Sequence, residues 1–100
     1  MVQGSSPTHV FDLSIDTSKI SKLRVTYAQN CTTILEKTES EVTMSDSIIK
    51  VRLTQQETLQ FIANYPVSIQ IKLLTTNGVV MVSQIMTDQV ESALNKEILS

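Results

Sequence analysis

Four segments of this chain alternate apolar and polar residues with a period of two. Phe11, Leu13 and Ile15 are separated by Asp12 and Ser14, and Leu23, Val25 and Tyr27 by Arg24 and Thr26. Ile49, Val51 and Leu53 are separated by Lys50 and Arg52, and Val67, Ile69, Ile71 and Leu73 by Ser68, Gln70 and Lys72. Successive side chains of a strand point to opposite faces, so each segment has one apolar face that a second layer must cover. Weaker strands are expected at 31–38 and 41–44, and a last one at 79–86 that could run on to 90. That makes about seven. The 12 threonines and 12 serines suit the wet side of a pleated sheet.

Between the third and fourth of these segments, Thr54 followed three residues later by Glu57 fits a capping box. One short helical turn is therefore expected near 55–61. Pro66 then ends the turn and opens the next strand, because the residue before proline avoids the helical region. Seven short strands with one helical turn predict an all-β fold, an immunoglobulin-like antiparallel β-sandwich, with a small barrel as the alternative. No cysteine pair or tryptophan supports an antibody-type domain. At 100 residues the chain is expected to be one domain, with 1–6 and 87–100 as tails free to move.

Asn77-Gly78 is the strongest hairpin signal. Read as a two-residue turn, it sets Leu73 opposite Val82 and puts Val80 and Val82 on the core face. Gln84 would then point inward, and a one-residue bulge near Ser83-Gln84 is expected to return Ile85 to the core. Leu74, Val79 and Met81 are left as an apolar patch on the other face, read either as surface hydrophobes that are scattered or covered by the chain's own tail, or as a contact with another subunit. The tail is ambiguous: Val90, Ala93, Leu94 and Ile98 share one helical face, giving a helix of about three turns that is marginal alone, and a partly ordered tail packed on its own sandwich or on a neighbour is expected, with fraying as the alternative. The candidate contact residues are Leu74, Val79, Met81, Val90, Leu94 and Ile98.

Chemistry-bearing residues are sparse. Hydrophobic residues make up 41% and the net charge is −2, so bulk charge does not call for nucleic acid or an anionic membrane. Apolar runs reach about five residues against the roughly 20 of a membrane span. The N-terminus lacks the basic and apolar regions of a signal peptide, so synthesis in the cytosol is expected. Cys31 is read as a half-buried strand residue, and Asn30-Cys31-Thr32 as a chance match to a glycosylation site. His9 and Cys31 fall short of a zinc ligand set, and two glycines leave no phosphate loop. Glu36, Glu39 and Glu41 are read as a solvated hairpin edge rather than an acid–base pair. Neither a cofactor nor a metal is expected. Lys22, Arg24, Lys50 and Arg52 would form one basic outer face if the second and fifth strands are neighbours, but no aromatic residue lies among them for base stacking.

Pro7 to Leu13, Asp16-Thr17-Ser18, Val25 to Asn30, Leu53 to Leu59 and Leu73 to Gly78 follow one another in an order that resembles small prophage-encoded proteins of Gram-positive bacteria, structural components encoded among tail or baseplate genes. The order of the segments carries the likeness. It implies a β-sandwich, no catalytic residues, and a homo-oligomer or a complex with other virion proteins. The expected function is non-enzymatic assembly in a tail or baseplate, with the protein moving from cytoplasm to virion. The alternative is a soluble carbohydrate-binding or adhesion-type module. That module would present exposed aromatics, for which Phe61 and Tyr65 are the candidates because Phe11 and Tyr27 lie on core faces.

Overall fold

The inward stripes meet as their period requires. The computed structural model describes residues 1–100. Eight strands form two antiparallel sheets: β1 (Thr8–Asp12), β2 (Ile20–Gln29), β3 (Thr32–Thr38), β4 (Thr43–Ser45), β5 (Ile48–Arg52), β6 (Pro66–Thr75), β7 (Val80–Val82) and β8 (Met86–Gln89). One sheet has the order β1-β5-β4. The other has the order β3-β2-β6-β7, with β8 pairing the first half of β6. No helix is long and apolar enough to cross a membrane.

Leu23, Val25 and Tyr27 of β2 pair directly with Leu73, Ile71 and Ile69 of β6. All six are buried against Ile49 and Val51 of β5, with Leu53 just beyond that strand. Phe61 closes one end, its ring 6.0 Å from that of Tyr27 and tilted by 45°. Two-sided burial of this kind contributes roughly 1.5–3 kcal/mol per large side chain. The expected capping box forms: Thr54 Oγ1 accepts from Glu57 N–H, and Glu57 returns a bond to Thr54 N–H, which starts the single turn α1 (Gln55–Thr58).

The all-β antiparallel sandwich matches the sequence pattern, but the strand order differs from the expected one in one consequential way. β2 pairs with β3 and β6, whereas β5 pairs with β1 and β4. The second and fifth strands therefore lie in different sheets. The single basic face expected from Lys22, Arg24, Lys50 and Arg52 does not form. Lys22 and Arg24 share an outer face with Lys72, while Lys50 and Arg52 lie on the other sheet.

The two ends of the chain pack on the sandwich, and the tail does so as a strand rather than a helix. The three-turn helix is absent. Residues 86–89 are strand β8 instead, because the first half of β6 needs a ladder partner there. Val90 is 1% exposed and plugs the core. Residues 92–100 have no regular structure, though Gln55 holds Leu99 by both its main-chain N–H and its carbonyl. The N-terminal residues are pinned: Gln3 N–H donates to Glu91 O, Glu91 N–H to Met1 O, and Gln3 Nε2 to Phe61 O.

Hairpin geometry corrects the expected place of Cys31. The two-residue turn is Asn30-Cys31, between the paired Gln29 and Thr32, with φ of 55° and 62°. Cys31 is exposed at that tip rather than half-buried in a strand. Its left-handed backbone suits glycine. Cys31→Gly is expected to stabilise the fold by about 0.5–1 kcal/mol. A higher midpoint in urea unfolding checks this, and an unchanged or lower one would contradict it.

Candidate functional site

Sheet edges are where a sandwich meets other proteins, since their outward N–H and C=O groups lack partners. Most edges here are guarded. β3 carries Glu36, β1 carries Asp12, and β4 is short and polar apart from Met44. β8 carries Asp88, and the chain just beyond it is covered by residues 1–3. β7 has no such guard. Its three residues are Val80, Met81 and Val82, exposed by 56%, 44% and 54%.

The register around β7 decides which faces these residues occupy. Asn77 keeps an ordinary backbone and only Gly78 has positive φ, at 85°. The turn is therefore neither of the favoured two-residue types, I′ and II′, since both need positive φ at the first central residue. Thr76, Asn77 and Gly78 form a three-residue loop, closed by Thr75 N–H to Val79 O and by Gly78 N–H to Thr75 O. Thr75 Oγ1 accepts from Val79 N–H at 3.0 Å. Leu73 consequently faces Met81, and Leu74 faces Val80. The expected sides are exchanged: Met81 is on the core-facing side, and Val80 and Val82 join Leu74 outside.

The one-residue bulge is present. Leu73 pairs with Met81 before it, and Ile69 with Met86 after it, so the register slips by one residue. Ser83 bridges the break: its N–H donates to Ile71 O, and its hydroxyl oxygen accepts from Ile71 N–H at 2.9 Å. The residue returned to the core side is Met86, whereas Ile85 is exposed.

Below this interrupted edge lies an apolar groove of about 380 Å³ between β1 and the β7–β8 edge. Phe11, Leu13, Ile71, Leu73, Met81 and Met86 contribute to its lining. The structure thus brings Met81 and Val79 to an open edge and adds Val80, Val82 and Val10, which the two-residue register had hidden or which lay outside the expected strands. Leu74 is half-buried on the outer face. Leu94 and Ile98 are exposed on the tail, and Val90 is unavailable to any partner because it lies in the core.

Several charged residues are engaged in local pairs away from this edge. Arg24 Nη1 is 2.7 Å from Glu39 Oε2, and Arg24 Nε is 3.8 Å from Glu36. The carboxyl of Glu39 is held below its ordinary range by backbone N–H donors, its own and that of Leu23, with Arg24 adding to the effect. Glu41 bonds Thr38 across the hairpin turn. The three glutamates thus serve local pairing. Asp12 is lowered by the Ser14 N–H and the Ser47 hydroxyl, and Asp16 by the Ser18 N–H and hydroxyl.

Two polar links run through the interior. His9 Nδ1 is 2.8 Å from the Tyr27 hydroxyl, and His9 Nε2 is 3.4 Å from Asp88 Oδ2. Burial, then the charges of Asp88 and Glu57, push the Tyr27 phenol well above its ordinary value. The buried, protonated hydroxyl is a poor acid–base group, and it ties β2 through His9 to β1 and β8. The second link is Lys37 Nζ to Glu57 Oε2 at 2.6 Å, with both side chains mostly buried. Burial alone would raise Glu57, but hydrogen bonds from Lys37 and Thr54 reverse that and lower it. Of the aromatics, Phe61 is buried and Tyr65 is 57% exposed.

No family model matches the chain, and neither curated proteins nor solved structures show significant similarity to it.

Two outcomes follow from the interior links. Glu57→Gln keeps the acceptor for Thr54 N–H but strands the Lys37 ammonium, and is expected to destabilise by about 2–3 kcal/mol at neutral pH. Because the folded value lies below the ordinary 4.5, the ionised form stabilises above that pH. Its contribution is lost as pH falls through the folded value. The variant should therefore show a shallower fall in stability than the parent between about pH 5 and 3. Denaturant midpoints measured across that range test both statements. Tyr27→Phe removes the partner of His9 and is expected to lower stability by about 1 kcal/mol, read from the same unfolding curves.

Proposed function

We propose that this chain is a non-enzymatic structural or accessory protein that works by protein–protein assembly. The observation that carries the reading is β7, an edge strand whose three residues are all apolar and roughly half exposed. Natural edges are usually protected by charge, proline or cover. An edge without protection over an open apolar groove suits addition of a strand from another protein. The resemblance to prophage tail and baseplate components supports a virion as the setting. A sugar-binding module is less well supported, since burial of Phe61 leaves Tyr65 alone as an exposed aromatic and no stacking platform forms.

The test is to induce phage particles from the encoding strain, purify them, and probe them for this chain. Recovery with particles at a fixed ratio is expected, and that ratio should fall several-fold when Met81→Glu puts a charge on the open edge. Absence from particles, together with glycan-array binding that Tyr65→Ala abolishes, would replace assembly with carbohydrate recognition.

A further inference from the structure

We infer that the occupant of the open edge is a second copy of this chain, paired β7 to β7 in antiparallel fashion about a two-fold axis beside Met81. The inference rests on the reading that this edge is the working surface. Thr75 bonds to Val79, and Ile71 to Ser83, on the inner side of the β6–β7 ladder. Hydrogen-bonded and non-hydrogen-bonded positions alternate in an antiparallel pair. The main-chain N–H and C=O groups of Val80 and Val82 therefore point away from β6, towards solvent.

Those two residues flank Met81 symmetrically. In a two-fold pairing, Val80 of each copy exchanges both main-chain bonds with Val82 of the other, giving four hydrogen bonds. Met81 meets its own counterpart at the close, non-hydrogen-bonded position, on the groove side of both sheets. The symmetry makes the edge its own complement, as an isologous interface requires. Charge agrees. Residues 79–85 carry none, so two copies meet without like-charge repulsion, and an oppositely charged partner gains nothing there.

The area sets the strength. An apolar patch of this kind offers a few hundred Å² per copy, short of the roughly 800 Å² per partner of a standard interface. The pair is therefore weak and concentration-dependent, tightening where copies are held together in a larger assembly.

Sedimentation equilibrium from micromolar to millimolar protein is expected to show reversible dimerisation. Val82→Pro removes only an outward N–H, which an edge strand tolerates. It should raise the dissociation constant at least about tenfold, since each substitution acts twice in a symmetric pair. In a Cys31→Ser background, Met81→Cys should give a disulfide-linked dimer on mild oxidation, while Val80→Cys, offset from its own counterpart, should give much less. A monomer at every concentration, or equal crosslinking at both positions, would overturn the two-fold pairing. If the chain still accompanies purified particles, that result leaves the assembly reading standing with a foreign strand on the edge. If it does not, both fall together.

Discussion

The pairing of β2 with β6 against β5 is the constraint on which the rest of the structure depends. Leu23, Val25 and Tyr27 lie opposite Leu73, Ile71 and Ile69, and Ile49 and Val51 cover the same apolar surface from the other sheet. A one-residue slip would turn every one of these side chains outward. The long strands β2 and β6 therefore have a single acceptable register. The shorter strands take the positions left to them at the margins.

Those margins explain both the stability devices and the exposed surface. β6 is longer than either strand that follows it, so its second edge is filled in two pieces, β7 and β8, with Ser83 supplying the hydroxyl that bridges the gap. β8 draws in the chain beyond it: Val90 enters the core and residues 1–3 cover the backbone at Glu91. β7 receives no such cover. The same break that protects one half of the edge leaves the other half open above the groove, which places the candidate surface at the weakest-covered part of the fold.

Polar groups inside the sandwich serve its architecture. Lys37 occupies an inward position on β3 opposite Val25, where an unpaired ammonium would be costly, and Glu57 neutralises it from α1. The capping box holds Glu57 in place, so a local helix-start signal also fixes a long-range ion pair. Tyr27 presents its hydroxyl to His9, which lets an amphipathic ring fill the centre without an orphaned polar atom. Both arrangements join elements distant in sequence.

Much of this fold was legible in the residues. Period-two alternation marked β2, β5 and β6, the Thr54/Glu57 spacing marked α1, Pro66 marked the start of β6, and the polar break near Ser83 marked the bulge. The neighbours of each strand were not legible, because alternation specifies a face but no partner. That is why Lys50 and Arg52 parted from Lys22 and Arg24. The faces of Val80, Met81 and Val82 were exchanged because Asn77-Gly78 forms a three-residue loop, a choice set by Thr75 and the β6 ladder rather than by the dipeptide. Val90 satisfied a helical pattern equally well, and only the unpaired half of β6 decided that residues 86–89 form a strand that delivers Val90 to the core. The sequence by itself determined which residues must be covered, since burial preference and side-chain period are local properties. Tertiary structure decided what covers them and what stays open, because sheet order and edge cover arise only when distant segments compete for the same backbone partners.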